Sequence, residues 1–188
     1  DDTPPLVRLA LSHYQFETIH PFSDGNGRIG RLLVVLLLVN WGLLASPLLY
    51  LSAYFERRRA HYYDLLLAVS QRGAWRDWIE FFLQGVAEQA ADATKRAHRI
   101  IDLQGDWRRR LMTGGARASA LPIQLADHLL TSPVLTVPSA AQILDVSYNT
   151  ARSHVDKLLE VGILTEVEDV GGGARLFVAG ELLDVIEE

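Results

Sequence analysis

The sequence predicts a mainly α protein: an all-helical N-terminal core, then a smaller C-terminal domain in which a helix–turn–helix precedes a β-hairpin. Three observations carry that reading. Apolar side chains recur at three- and four-residue spacing from Leu6 towards His20, and an apolar run follows from Leu32 to Val39. Gly114-Gly115 forms the clearest boundary in the chain. Beyond it the pattern breaks into short pieces, with Gly171-Gly172-Gly173 between two runs that read as strands.

Taken in order, Pro5 suits a first helical turn, after which Leu6, Leu9, Ala10, His13, Phe16, Glu17 and His20 share one face. That helix delivers His20 at its end. His13, Glu17 and His20 invite a metal reading, but His-x3-Glu-x2-His matches no zinc motif, and His13 and Glu17 read better as hydrogen-bonded scaffold. A central helix from Gly27 or Arg28 to about Trp41 is apolar nearly all round, as expected of a helix enclosed by others. Gly42 suits its C-cap and Ser46-Pro47 a connection. A further helix starts near Ser52, with Tyr62, Tyr63, Leu66 and Val69 on its inner face. Its cationic run, Arg57 to Arg59, is either a solvated face or a hold on a nucleotide or partner. Gly73-Ala74-Trp75 reads as a turn before a long amphipathic helix from Asp77, which runs on past Ala97 until Gly105 interrupts it. The expected boundaries are a core at 1–84, a helical linker at 85–117 and a second domain at 118–188.

The chemistry concentrates in His20-Pro21-Phe22-Ser23-Asp24-Gly25-Asn26-Gly27-Arg28-Ile29-Gly30-Arg31. A glycine-bearing loop runs into the N-terminus of the apolar helix, where unpaired amides and the helix dipole both favour an anion. Gly25 and Gly27 let backbone approach a phosphate. Arg28 and Arg31, three apart, can reach one phosphate chain. His20 is the group that could take a proton near neutral pH, and Asp24 is a hard-oxygen ligand of the kind Mg²⁺ uses beside nucleotides.

These residues resemble the Fic family signature, HPFxDGNGRxGR, at all ten of its specified positions. The His…Phe-Glu-x-Ile-His-Pro-Phe lead-in is similar too. The resemblance implies transfer of AMP from ATP to a Ser, Thr or Tyr hydroxyl of a target protein. His20 would then be the base and Asp24 would hold Mg²⁺. The backbone of Gly25 to Gly27 with Asn26 would form the anion hole, with Arg28 and Arg31 on the outer phosphates. The segment Leu51-Ser52…Tyr62-Tyr63-Asp64-x2-Leu67 resembles the stretch bordering the family's adenosine pocket, which carries Tyr63, Leu66 and Ser70 onto that pocket. The phosphate-transferring variant departs from this pattern near Gly25, Gly27 and Arg28. Removal of AMP by the same site stays open as an alternative, as does a DNA-binding regulator with an idle site. Many family members are inhibited by a glutamate in a Ser/Thr-x3-Glu-Gly/Asn helix. The nearest stretch here, Ser52 to Glu56, is followed by Arg57 instead.

In the second domain, Leu121 to Leu130 reads as a helix and Val134 to Val137 as an extended piece. Ser139 is expected to cap a helix to about Leu144. A turn at Asp145 to Ser147 then leads into a helix over Tyr148 to Val161 that Gly162 ends. Strands at Ile163 to Glu168 and Arg175 to Val178 complete a winged helix, and the stretch from Ser139 to Leu164 resembles bacterial winged-helix modules. Arg152, His154 and Lys157 on the second helix are the candidate contacts to DNA or a partner. Residues 118–188 hold three basic against eleven acidic residues, a net charge of −8, within a chain of net −5. Phosphate neutralisation needs cations. The acidic balance therefore disfavours DNA and favours protein contact, including homodimerisation.

The 188 residues include no cysteine, which excludes disulfides and thiolate metal sites and fits a cytoplasmic protein. Asn40, Gly42, Ser46 and Pro47 break the apolar stretch from Leu32 to Leu51 well short of a membrane span. No signal peptide is read. The chain lacks an initiator methionine, its one methionine being Met112, and is expected to be a trimmed piece.

Overall fold

The computed structural model describes residues 2–45, 49–113, 120–167 and 175–187. They are mainly helical with one small sheet, in line with the periodicity. The expected connection at Ser46-Pro47, the boundary at Gly114-Gly115 and the triplet Gly171 to Gly173 lie outside them. The chain divides into two compact units, Asp1–Thr94 and Lys95–Glu188. No helix among the described residues is long and apolar enough to cross a membrane.

The first unit holds α1 (Pro5–Ile19), α2 (Asn26–Asn40), α3 (Leu51–Arg57), α4 (Arg59–Arg72) and the start of α5 (Trp75–Met112). Its core gathers Leu9, Val34, Leu51, Tyr54, Phe55, Tyr62, Trp78 and Phe82. Proline sets the end of α1. A residue before proline is pushed out of the right-handed helical region. His20, before Pro21, takes the left-handed conformation with φ +50°, while its N–H still closes onto Phe16 O at 3.0 Å. Gly30 sets the approach of α1 and α2. A Cβ there would lie 2.4 Å from Glu17 Oε1 and 3.0 Å from Phe16 Cδ1.

Three expectations are corrected in this unit. α2 is not enclosed: Val34 and Leu38 are buried, but Ile29, Leu32, Leu36 and Val39 are exposed, because α1 covers one side only within this chain. The helix expected from Ser52 is two helices, broken at Arg58 (φ −120°, ψ 30°), and Tyr63 faces outward while Tyr62 and Leu65 face in. Gly105 does not interrupt α5. A mid-helix glycine costs about 1 kcal/mol, and the flanking Leu103, Trp107 and Leu111 join the second unit's core.

The second unit comprises the rest of α5, then α6 (Ala120–Leu129), β1 (Val134–Thr136), α7 (Val137–Leu144), α8 (Tyr148–Glu160), β2 (Thr165–Val167), β3 (Leu176–Val178) and α9 (Gly180–Glu187). The sheet order is β1-β3-β2, antiparallel throughout, with Phe177 opposite both Leu135 and Glu166. Leu125, Leu129, Ala151, Val155, Leu158, Phe177 and Leu182 form the core with Trp107. The cap of α7 is corrected from Ser139 to Thr136, with Ser139 at the third helical position completing a reciprocal capping box. Ser147 caps α8 by accepting from Thr150 N–H at 3.3 Å. α9 has no counterpart in the sequence reading. Its Glu181 accepts from Trp107 Nε1 at 2.7 Å and from Arg110 through both oxygens, at 3.1 and 2.9 Å, which raises the Arg110 pKa further.

Candidate active site

The loop between α1 and α2 is closed by Asn26, whose side chain is buried. Its Oδ1 accepts from Phe22 N–H at 2.9 Å and its Nδ2 donates to Phe22 O at 2.6 Å. That clamp uses the amide side chain and leaves the α2 amides free at the loop. The first intrahelical bond is Ile29 N–H to Gly25 O, so the N–H groups of Asn26, Gly27 and Arg28 precede the ladder. Gly25 caps the helix at φ +81°, a conformation that suits glycine. Arg31 folds back against Gly27, where a Cβ would lie 3.1 Å from its Nη1.

An open cleft of about 310 Å³ gathers these groups. One wall is the loop and the start of α2, with His20, Asp24, Gly25, Asn26, Gly27, Arg28 and Arg31; the other carries Glu56, Arg59 and Tyr63. All of the motif residues expected to do chemistry therefore meet in one place. Within it Arg28 Nη2 lies 3.6 Å from Asp24 Oδ2, a pair open to solvent. His20 is exposed, with Nδ1 3.4 Å from the Glu17 carbonyl oxygen. A neighbouring hollow of about 330 Å³ shares Arg28 and Arg31 and is otherwise largely apolar, with Leu32, Val35, Leu49 and Leu51.

Behind the cleft the packing is aromatic. His13 is buried between Gly30 O (3.3 Å from Nδ1) and Tyr62 Oη (3.1 Å from Nε2), stacked on Phe55 and Trp78. Burial lowers its pKa to about 4, against the opposing hydrogen bond to Gly30 and with help from the Arg31 charge. Burial also shifts the Glu17 carboxyl upward, while Arg31 and His20 pull it back. Glu17 Oε1 and Arg31 Nε are both sealed from solvent without a hydrogen-bond partner. His13 thus has the scaffold place expected of it. No group of three or more metal-ligating side chains occurs among the described residues.

Of the residues carried onto an adenosine pocket, Tyr63 lines the cleft. Leu66 packs against the core of the unit, and the Ser70 hydroxyl bonds Tyr14 Oη at 2.8 Å. Neither of those two lines the cleft. The run Arg57 to Arg59 divides. Arg57 and Arg58 each take one oxygen of Glu88, at 2.8 and 3.0 Å, with Arg58 4.2 Å over the Tyr54 ring, whereas Arg59 enters the cleft. Sequence reasoning weighed Arg59 only as part of the run Arg57 to Arg59, and missed Glu56 as a cleft residue and Gly30 as the contact between α1 and α2. In the second unit, Arg152 pairs with Asp156 at 3.4 Å on α8. His154 is partly buried there, and burial and then Lys157 lower its pKa.

Residues 1–38 match the Fic/DOC family, the stretch that holds α1, the loop and nearly all of α2. Among curated relatives, the chain is 35% identical over 92 residues to the protein adenylyltransferase Fic of Aedes aegypti, covering 49% of this chain and 15% of that protein. It is 35% identical over 107 residues to the protein adenylyltransferase Fic of Nematostella vectensis, covering 57% and 23%. Over 39 residues it is 62% identical to a probable protein adenylyltransferase of Aquifex aeolicus, covering 21% and 12%. The chain thus spans under a quarter of the length of these three relatives.

Proposed function

We propose that the chain is the catalytic part of a protein adenylyltransferase, moving AMP from ATP to a Ser, Thr or Tyr hydroxyl of a target protein. One observation carries the reading. Within the stretch matching the family, a titratable imidazole, a carboxylate, two arginines and the free amide end of a helix line one cleft. The triphosphate lies against the α2 amides with Arg28 and Arg31 on its outer phosphates. Tyr63 borders the adenosine, with Leu66 and Ser70 one and two turns further along α4. With its Nδ1–H donated to Glu17 O, His20 keeps the Nε2 lone pair free. The acceptor hydroxyl attacks the α-phosphorus, His20 takes the hydroxyl proton, and the bond to pyrophosphate breaks as the new P–O bond forms.

The donor set suits a magnesium ion borne by the nucleotide. One exposed carboxylate, Asp24, faces the cleft, and Mg²⁺ beside phosphates needs one or two protein carboxylates rather than a full cage. Bound there with the nucleotide, the ion would neutralise charge on the phosphates.

The second unit is read as a winged helix. What supports it is the order of α6, β1, α7, α8, β2 and β3, with a three-residue turn from α7 to α8 and the antiparallel sheet β1-β3-β2. The acidic balance of residues 118–188 makes a protein surface, on a target or a second copy, the better partner than DNA.

The test is incubation of the chain with α-labelled ATP, Mg²⁺ and a cell lysate, beside His20→Ala and beside γ-labelled ATP. Label on protein from the α-phosphate alone, lost in His20→Ala, is the expected result. Absence of α-label, or α-label that survives His20→Ala, overturns the reading.

A further inference from the structure

We propose that Arg59 is a third phosphate-binding arginine of the cleft. In this structure it rests between Glu56 and the Tyr63 ring, and it transfers to the polyphosphate of a bound nucleoside triphosphate with Glu56 as its exchangeable counter-ion. The inference rests on the nucleotide reading above and adds to it a residue outside the family-matched stretch, on the opposite wall.

The three consecutive arginines have different surroundings. Arg57 and Arg58 are held by the two oxygens of Glu88 on α5, and Arg58 also covers Tyr54. Those two lock α3 to α5. The break at Arg58 ends α3 and restarts the chain as α4, so Arg59 leaves on a different bearing and enters the cleft that holds His20 and the α2 amides. There its Nη1 is 3.5 Å from Glu56 Oε1, and its Cζ is 5.9 Å from the Tyr63 ring centre. Both members of the Glu56–Arg59 pair stay more than half exposed, at 71% and 66%. A solvated pair at that distance is a weak hold.

The opposite wall repeats the arrangement. Arg28 sits 3.6 Å from Asp24, also in solvent. Two of the three guanidiniums in the cleft are thus neutralised, each by a neighbour three or four residues away. A triphosphate offers several anionic oxygens in fork geometry, and guanidinium–phosphate bonds are charge-assisted and stronger than loose pairs in water. Exchange therefore runs toward the ligand. Arg59 also lies one turn before Tyr63, which suits a contact on the phosphates of a nucleotide whose adenosine borders Tyr63. Glu56, once vacated, is a negative charge left beside the phosphates and works against binding.

The experiment is calorimetric titration of the 188-residue chain with ATP and, separately, with adenosine, for the unaltered protein, Arg28→Ala, Arg59→Ala, Arg59→Lys and Glu56→Gln. Thermal unfolding of each variant confirms that it is folded. Arg59→Ala is expected to weaken ATP about tenfold, the worth of one hydrogen bond to a charged group, with adenosine binding unchanged. Arg59→Lys should fall between, keeping the charge and losing the fork. Glu56→Gln should tighten ATP by about threefold, because one repulsion is removed. If Arg28→Ala weakens ATP and Arg59→Ala does not, the role of Arg59 is overturned and the nucleotide reading stands. If Arg59→Ala weakens adenosine as much as ATP, its contact is not with phosphate and the inference again fails. If the unaltered chain binds no ATP, or Arg28→Ala leaves binding unchanged, both the nucleotide reading and the role of Arg59 are overturned.

Discussion

His20 Nδ1 lies 3.4 Å from the carbonyl oxygen of Glu17, so the imidazole of the cleft is held by the last turn of the helix that delivers it. The contact uses backbone rather than a side chain, so substituting Glu17 leaves it in place. It also favours the tautomer of the neutral ring that carries its proton on Nδ1.

His20→Ala should lower the rate of AMP transfer by at least about a hundredfold, the usual contribution of a positioned base. Stability should stay within about 0.5 kcal/mol of the unaltered chain, because the residue is exposed. Label transfer and denaturant unfolding on the same preparations check both halves.

Acid should expose His13. Burial holds its pKa at about 4 in the folded chain, below the ordinary value of 6.5. Between those values the unfolded chain binds the extra proton. The stabilisation is therefore complete above about pH 6.5 and drains away as pH falls toward 4. The loss amounts to about 3 kcal/mol by linkage. His13→Gln, which cannot titrate, should flatten that part of the stability-against-pH curve. A slope unchanged by the substitution would refute the assignment.

Gly30→Ala should press α1 from α2. The new methyl would meet Glu17 Oε1, the mobile end of a side chain, and Phe16 Cδ1, which is less free to yield. A cost of about 1–3 kcal/mol is expected from overpacking. Glu17→Ala in the same chain should recover part of it, read as a shift of the denaturant midpoint.

Asn26→Ala removes both bonds to Phe22 and leaves that backbone pair without its partners. The loop should loosen at a cost of about 1–3 kcal/mol, and the KM for ATP should rise more than kcat falls. Asn26→Asp retains the acceptor for Phe22 N–H and should lie between. Steady-state kinetics with unfolding curves separates the two effects.

The loop and its flanking helices were legible because local chemistry decides them. Proline after His20, glycine at the start of α2 and helical spacing in α1 act over a few residues. What escaped depends on contacts distant in sequence. The break at Arg58 is tied to Glu88, thirty residues away, and no periodicity announces it. Tyr63, expected on the inner face, is exposed, while Leu65, which the spacing did not single out, is buried. The apolar surface of α2 suggested enclosure, yet hydrophobicity reports what a side chain prefers, not whether a neighbour is there to meet it. Gly105 was overruled by the core residues around it, and α9 opens on Gly180 after Ala179, without the capping residue that announced α7.

Pro21 has a consequence for how the cleft could drift. Each residue added to a helix advances its direction by about 100°. Were Pro21 replaced by alanine, α1 would be free to propagate one step, and His20 would leave its left-handed stop and swing a quarter-turn or more about the helix axis. The core would hardly register the event, since Leu9, Ala10 and His13 lie two or more turns back. A single substitution could thus put the imidazole out of phase with the phosphates while the protein melted as before, a fault invisible to any screen for folding and visible only to one for turnover.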